Sequence, residues 1–210
     1  MYWVAGKKKE SEQAFLRALD LQPGLLSSYQ YLAALYADDK NYDRAVARLE
    51  QVAKLAPKDI TTHMLRGAVA YQRGDRKRAQ EAYETVLTIE PRFGPAANNL
   101  ALLLSEQDGD RERALQLAQL AKEVSPEDPS VSDTLGWILS KRGVHQRGLA
   151  LLQESASKLP GNPTVQYHLG ATYARVGDRD RARKALAAAV ASKVDFPERE
   201  AAKRALVELQ

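Results

Sequence analysis

The sequence predicts an all-α fold, a solenoid of helix–turn–helix units, and three observations predict it. Prolines recur at Pro23, Pro57, Pro91, Pro126 and Pro160, each time after about 34 residues, a spacing in the range of helical-repeat arrays. Small residues keep the same beat at Ala45, Ala79, Ala114, Gly148 and Ala182, and again at Ala33, Gly67, Ala101, Gly136 and Gly170. Within a unit the apolar residues follow a helical period: Tyr29, Leu32, Ala33 and Tyr36 fall at i, i+3, i+4 and i+7, one face of a helix. One period shared by independent registers marks an array of repeated units.

The elements follow in order. Residues 1–25 form a half unit, whose Tyr2, Phe15, Ala18 and Pro23 stand one such interval ahead of Tyr36, Leu49, Val52 and Pro57. Full units are expected at 26–59, 60–93, 94–128, 129–162 and 163–196 of one domain spanning 1–210. In the first, a helix over 29–39 reaches the turn Asp39-Lys40-Asn41. A second helix then carries Ala45, Val46, Leu49, Val52 and Ala53 on one face. It ends before Pro57, because the residue ahead of a proline is pushed out of helical geometry. The turn recurs as Arg73-Gly74-Asp75, Arg142-Gly143 and Val176-Gly177-Asp178. Helices of about 13 residues are marginal alone and persist by burying their apolar face on the next unit. Glycine inside a helix costs roughly 0.5–1 kcal/mol against alanine, so Gly67, Gly136 and Gly170 point to close helix crossings. Phe15, Leu49, Tyr83, Leu152 and Leu186 are expected to fill the space between. Pro197 opens a final helix, expected to cap the array over 197–210.

Composition narrows the function. The chain is 44% hydrophobic and 28% charged, within the range of folded domains, and no stretch approaches the roughly 20 apolar residues of a membrane span. The first ten residues carry no apolar run of signal-peptide length, so no membrane insertion is expected. There is no cysteine, which excludes disulfides, zinc–thiolate sites and thiol catalysis. The net charge of +4 is spread along the chain, and Lys7-Lys8-Lys9 reads as a solvated helix start rather than a nucleic-acid patch. His63, His145 and His168 lie in different units without a His-x-x-x-His pair. No Gly-x-Ser-x-Gly elbow or glycine-rich phosphate loop is present. The sequence therefore predicts no enzyme, no cofactor and no metal.

His168-Leu169-Gly170 with Tyr173, Ala182 and Leu186, and Leu135-Gly136 with Gly148, Leu152 and Pro160, resemble the tetratricopeptide repeat, whose period is the one found here. The resemblance covers nearly the whole chain and implies a right-handed superhelix. There are departures. Arg66 takes the slot of Leu32, Leu100, Leu135 and Leu169, and Ala70 follows one turn on. The expectation is that Arg66 threads its stem through that space and snorkels its head to water, with a binding role as the alternative. The turn from Glu106 to Asp110 holds one extra residue and reads as a solvated turn, since an EF-hand's spaced glutamate is missing. Because residue 1 falls part-way through a first helix, with Tyr2, Trp3 and Val4 at an open edge, a longer array is expected; a natural start that pairs with another copy is the alternative.

In the family the first helices of successive units line a concave groove. The resemblance places Tyr31, Met64, Tyr71, Asn98, Asn99, Leu102, Asp133, Trp137, Lys141, Tyr167, His168 and Arg175 in that groove as partner-binding residues. Trp137 is the sharpest candidate, because aromatic anchors carry much of the energy of recognition; its alternative role is to cover a neighbouring helix. Asn98 and Asn99 suit clamping of a peptide backbone, with a solvated helix start as the alternative. The basic residues with which some members grip chaperone C-termini are absent, their slots holding Gln30, Ala34, Thr61, Met64 and Leu65. The expected function is a non-catalytic scaffold for a protein or peptide partner, with no nucleic acid bound. The alternatives are a self-assembling array, joined through the open N-terminal edge, and a cytoplasmic assembly scaffold. The strings Asn98-Asn99-Leu100-Ala101, Asp133-Thr134-Leu135-Gly136-Trp137 and Phe196-Pro197-Glu198-Arg199-Glu200 are similar to repeat proteins of the bacterial cell envelope, including scaffolds of exopolysaccharide synthesis and export. They favour a periplasmic setting over the cytoplasm.

Overall fold

The computed structural model describes residues 7–107 and 110–209, and among them every regular element is an α-helix. Tyr2, Trp3, Val4 and the tip of the 106–110 turn, on which expectations fell, lie outside the described residues. The chain divides into two compact units, the first ending at Pro91 and the second beginning at Arg92.

The first unit holds α1 (Lys8–Leu21), α2 (Leu26–Asp38), α3 (Tyr42–Leu55), α4 (Ile60–Arg73) and α5 (Arg76–Ile89). Helices α2 and α3 pair as a hairpin, as do α4 and α5, and α2 also packs on α4. Short polar residues start the helices: the side chains of Asn41, Asp59 and Asp75 accept from the amides of Arg44, Thr62 and Arg78, satisfying donors that the first turn leaves free. Gly74 ends α4 with φ 84°, a left-handed cap that glycine adopts without Cβ strain. Lys40 adopts the same hand, φ 58°, at the end of α2. Leu32, Ala33, Ala45 and Leu49 are fully buried with Leu35 and Tyr36, while Phe15 packs at their margin, only half-buried.

Arg66 is exposed as a residue and lines a cavity of about 260 Å³ together with Val46, Glu50, Ala70, Glu81 and Ala82 among others. From that position a long side chain can border the space at slots 66 and 70 and still reach water.

The second unit holds α6 (Gly94–Glu106), α7 (Arg111–Val124), α8 (Pro129–Lys141), α9 (His145–Lys158), α10 (Pro163–Arg175), α11 (Arg179–Ala191) and α12 (Arg199–Glu208). Hairpins α6–α7, α8–α9 and α10–α11 stack so that α6 packs on α8 and α8 on α10. Asp110, Asp128, Asn162 and Asp178 cap α7, α8, α10 and α11. The α8–α9 crossing is tight: a Cβ on Gly136 would lie 2.9 Å from the Gly148 carbonyl oxygen, and one on Gly148 would lie 2.7 Å from that of Gly136. Lys122 ties three helices, its Nζ donating to Ser132 Oγ at 2.7 Å and to Glu154 Oε1 at 3.0 Å. At the C-terminal end Phe196, Ala202 and Leu209 close the core formed with Leu169, Tyr173 and Leu186. Arg199 fixes the preceding link by donating to the carbonyls of Val190, Ser192 and Val194.

Candidate functional site

The first helices α2 and α4 of one unit, and α6, α8 and α10 of the other, carry the residues singled out above. In the first unit Tyr31 is 50% exposed and stacks on Phe15, centroids 5.1 Å apart. Met64 is half-buried, and so is Tyr71, whose ring is covered by the Arg76 guanidinium at 4.4 Å. Gln30 donates to Asp59 and Thr62 and so ties α2 to the start of α4.

The second unit forms a cluster. Trp137, on α8, is half-buried and stacks on His168 of α10 with ring centroids 4.3 Å apart and planes 14° apart. Tyr167 tilts against the same ring at 5.7 Å. The Arg175 guanidinium lies over it at 4.7 Å, a cation–π contact. Beneath them His168 is 1% exposed and Asp133 7%, and His168 Nδ1 meets Asp133 Oδ2 at 2.9 Å. These two residues were expected to face a partner; instead they pair with each other under Trp137. The reason is register: residue 133 of α8 and residue 168 of α10 sit opposite each other where the helices touch, and a buried polar group needs a partner.

A second buried set, which the sequence reading missed, supports the first. Thr172 Oγ1 donates to the His168 carbonyl at 2.8 Å and lies 2.8 Å from Ser140 Oγ, which accepts from Arg175 at 3.0 Å and has its own hydrogen free for Thr172. Arg175 is thereby held against α8. Polar residues at core-facing positions of α8 and α10 were the available signal, since Ser140 and Thr172 fall on the buried stripe of each helix. Lys141 donates to the Ser105 carbonyl and so joins α8 to α6. Asn99 and Leu102 are half-buried on α6. Asn98 is buried, and its Oδ1 has no hydrogen-bond partner among the described residues.

The electrostatics of the cluster follow from crowding. Burial pushes the Tyr167 phenol above its ordinary pKa, Glu198 adds to this, and the charges of Arg175 and Arg204 oppose it. Burial likewise pushes the Arg175 guanidinium down, with Tyr167 acting the other way. Among the described residues no group of three or more histidines, cysteines and carboxylates could hold a metal ion.

Residues 25–56 and 140–206 each match a family model described as tetratricopeptide repeat. A TPR repeat-containing protein of Pseudomonas aeruginosa is 25% identical over 167 residues, which are 79% of this chain and 28% of that protein; the chain thus spans under a third of that relative's length. Among solved structures, a chain of the APC/C hetero-tetramer Cut9–Hcn1 superposes with a TM-score of 0.85 at 15% identity, over 99% of this chain and 41% of its own. YrrB, a TPR protein with an unusual peptide-binding site, superposes with a TM-score of 0.63 at 23% identity, over 92% of this chain and 99% of its own.

Proposed function

The chain is a tetratricopeptide-repeat protein, and from that premise we propose that the α6–α8–α10 face holds a peptide or protein partner and performs no chemistry on it. Proteins of this kind are generally interaction scaffolds. One observation carries the assignment to this face: Trp137 keeps part of its ring open while His168, Tyr167 and Arg175 fix its orientation. An aromatic anchor that is already immobile loses little entropy on binding, and such anchors dominate interface energetics. Asn99, half-buried one repeat earlier on α6, offers an amide that can both donate to and accept from an extended backbone. That YrrB carries a peptide-binding site agrees with this reading. A setting in bacterial exopolysaccharide synthesis or export rests on the short strings alone.

The test is capture from a lysate of the source organism by the purified protein and by an Asn99→Ala/Trp137→Ala double variant with unchanged helical circular dichroism. A partner retained by the first and lost by the second supports the face and names the pathway. Equal retention moves the interface elsewhere. Recovery of the chain alone favours self-assembly.

A further inference from the structure

Arg175 differs from several arginines of the same unit. Arg92, Arg142, Arg181 and Arg183 each meet a carboxylate within 4 Å, on Glu123, Glu112, Asp178 and Asp180. Arg175 meets none among the described residues; it donates to the neutral Ser140 Oγ and lies on Trp137. Its head is therefore held in place and partly desolvated, the residue as a whole still reaches solvent, and it carries a charge that no carboxylate among the described residues neutralises. A guanidinium presents five N–H donors in a fork that fits a carboxylate with two parallel bonds, and the Ser140 contact uses only one side of it. Arg204, on α12, is exposed, and its charge acts on both Tyr167 and Glu200. Of the carboxylates on this side, Glu198 accepts from Thr164 Oγ1 at 3.4 Å and Asp133 is buried against His168. On the α10 side the uncompensated charge is positive.

We propose that Arg175 receives an aspartate or glutamate side chain of the bound segment, with Trp137 taking an apolar residue beside it, so that the partner of this face is an acidic peptide segment. The proposal rests on the reading of this face given above. An internal acidic residue fits better than a chain end, because a terminal carboxylate is gripped by several converging donors and here a single pre-set fork stands beside an aromatic plate. Arg204 adds attraction at longer range, which salt will screen.

The experiment is selection of random twelve-residue peptides, N-acetylated and C-terminally amidated, on the intact protein, on Arg175→Gln and on the charge-reversed Arg175→Glu. Circular dichroism confirms that both variants stay folded. The expected result is enrichment of sequences with Asp or Glu next to an apolar residue. Affinity for the best of these should fall about tenfold in Arg175→Gln, the loss expected for one charge-assisted contact, and Arg175→Glu should instead enrich Lys- and Arg-bearing peptides. Binders without acidic bias, or with affinity unchanged in Arg175→Gln, overturn the acidic-partner inference and leave the Trp137 face standing. Binding that needs a free C-terminal carboxylate, seen when the amidated peptides fail and free-acid versions succeed, overturns the internal-residue assignment. No binders of either kind overturn both this inference and the reading beneath it.

Discussion

Gly136 and Gly148 face each other across the α8–α9 crossing with no room for a methyl group on either. A Cβ on Gly148 would meet backbone, the Gly136 oxygen at 2.7 Å, and backbone cannot swing aside as a side chain can. Gly148→Ala is therefore expected to destabilise the protein by about 1–3 kcal/mol, the usual cost of overpacking, read as a lower urea midpoint. Gly24→Ala, where a new Cβ meets nothing within 4 Å, is the control and should cost far less. Lys40 presents the opposite case. It holds φ 58°, a left-handed geometry that costs an L-residue roughly 1–2 kcal/mol, in the slot where Gly74 and Gly177 sit in later units. Lys40→Gly should stabilise by about 1 kcal/mol, part of the gain being lost to the greater freedom of glycine in the unfolded chain.

Elements are held to one another by a few polar latches, and these respond to pH. Glu12 on α1 accepts from Tyr36 Oη at 2.8 Å and from Arg44 at 2.7 Å, binding α1 to α2 and α3. The Tyr36 hydroxyl first, and then Arg44, hold the Glu12 carboxyl below its ordinary value of 4.5 against the opposing effect of burial. The carboxyl thus ionises more readily folded than unfolded. Its contribution is complete above about pH 4.5 and is lost as the pH falls through the lowered folded value. Tyr36 runs the other way: burial first and Glu12 second push its phenol above 10.0, so its contribution fades as the pH rises through the raised value. Glu12→Gln should cost about 1 kcal/mol at neutral pH, the worth of such a hydrogen bond, and should flatten the acid limb of stability against pH. An acid limb as steep as the parent's would remove this latch from the account. Arg199→Ala removes three bonds to carbonyls at once. It should cost about 2 kcal/mol, within the range for hydrogen bonds from a charged donor, and hydrogen exchange should quicken in α12 before α8.

At the scale of the molecule, much of the architecture was legible because a repeat writes its geometry many times over. Prolines mark where second helices end, the Asp and Asn caps mark where many helices begin, and glycine marks crossings such as that of α8 and α9. Each signal is local. What escaped was non-local. The pairing of His168 with Asp133 depends on which residues of α8 and α10 meet across their contact, a register that spacing within one unit does not contain. The missing carboxylate at Arg175 is a property of everything around it and leaves no mark at position 175 itself. The same logic predicts how damage spreads. In a stacked array each unit leans chiefly on its neighbours, so the strain of Gly148→Ala should shift backbone amide resonances of α6 to α11, the hairpins on either side of α8–α9 included, while leaving those of α2 and α3 in place. Shifts throughout the chain would argue for cooperativity beyond neighbours.

The chain has two tryptophans, Trp3 and Trp137, and the second is stacked on an imidazole and roofed by a guanidinium. Indole emission is sensitive to such close contacts. With Trp3→Phe in place, Trp137 becomes the sole indole fluorophore, seated where a partner is proposed to arrive. Any guest that displaces the guanidinium or covers the exposed edge of the ring must alter its emission, so the proposed site carries its own optical readout and occupancy can be followed without attaching a label.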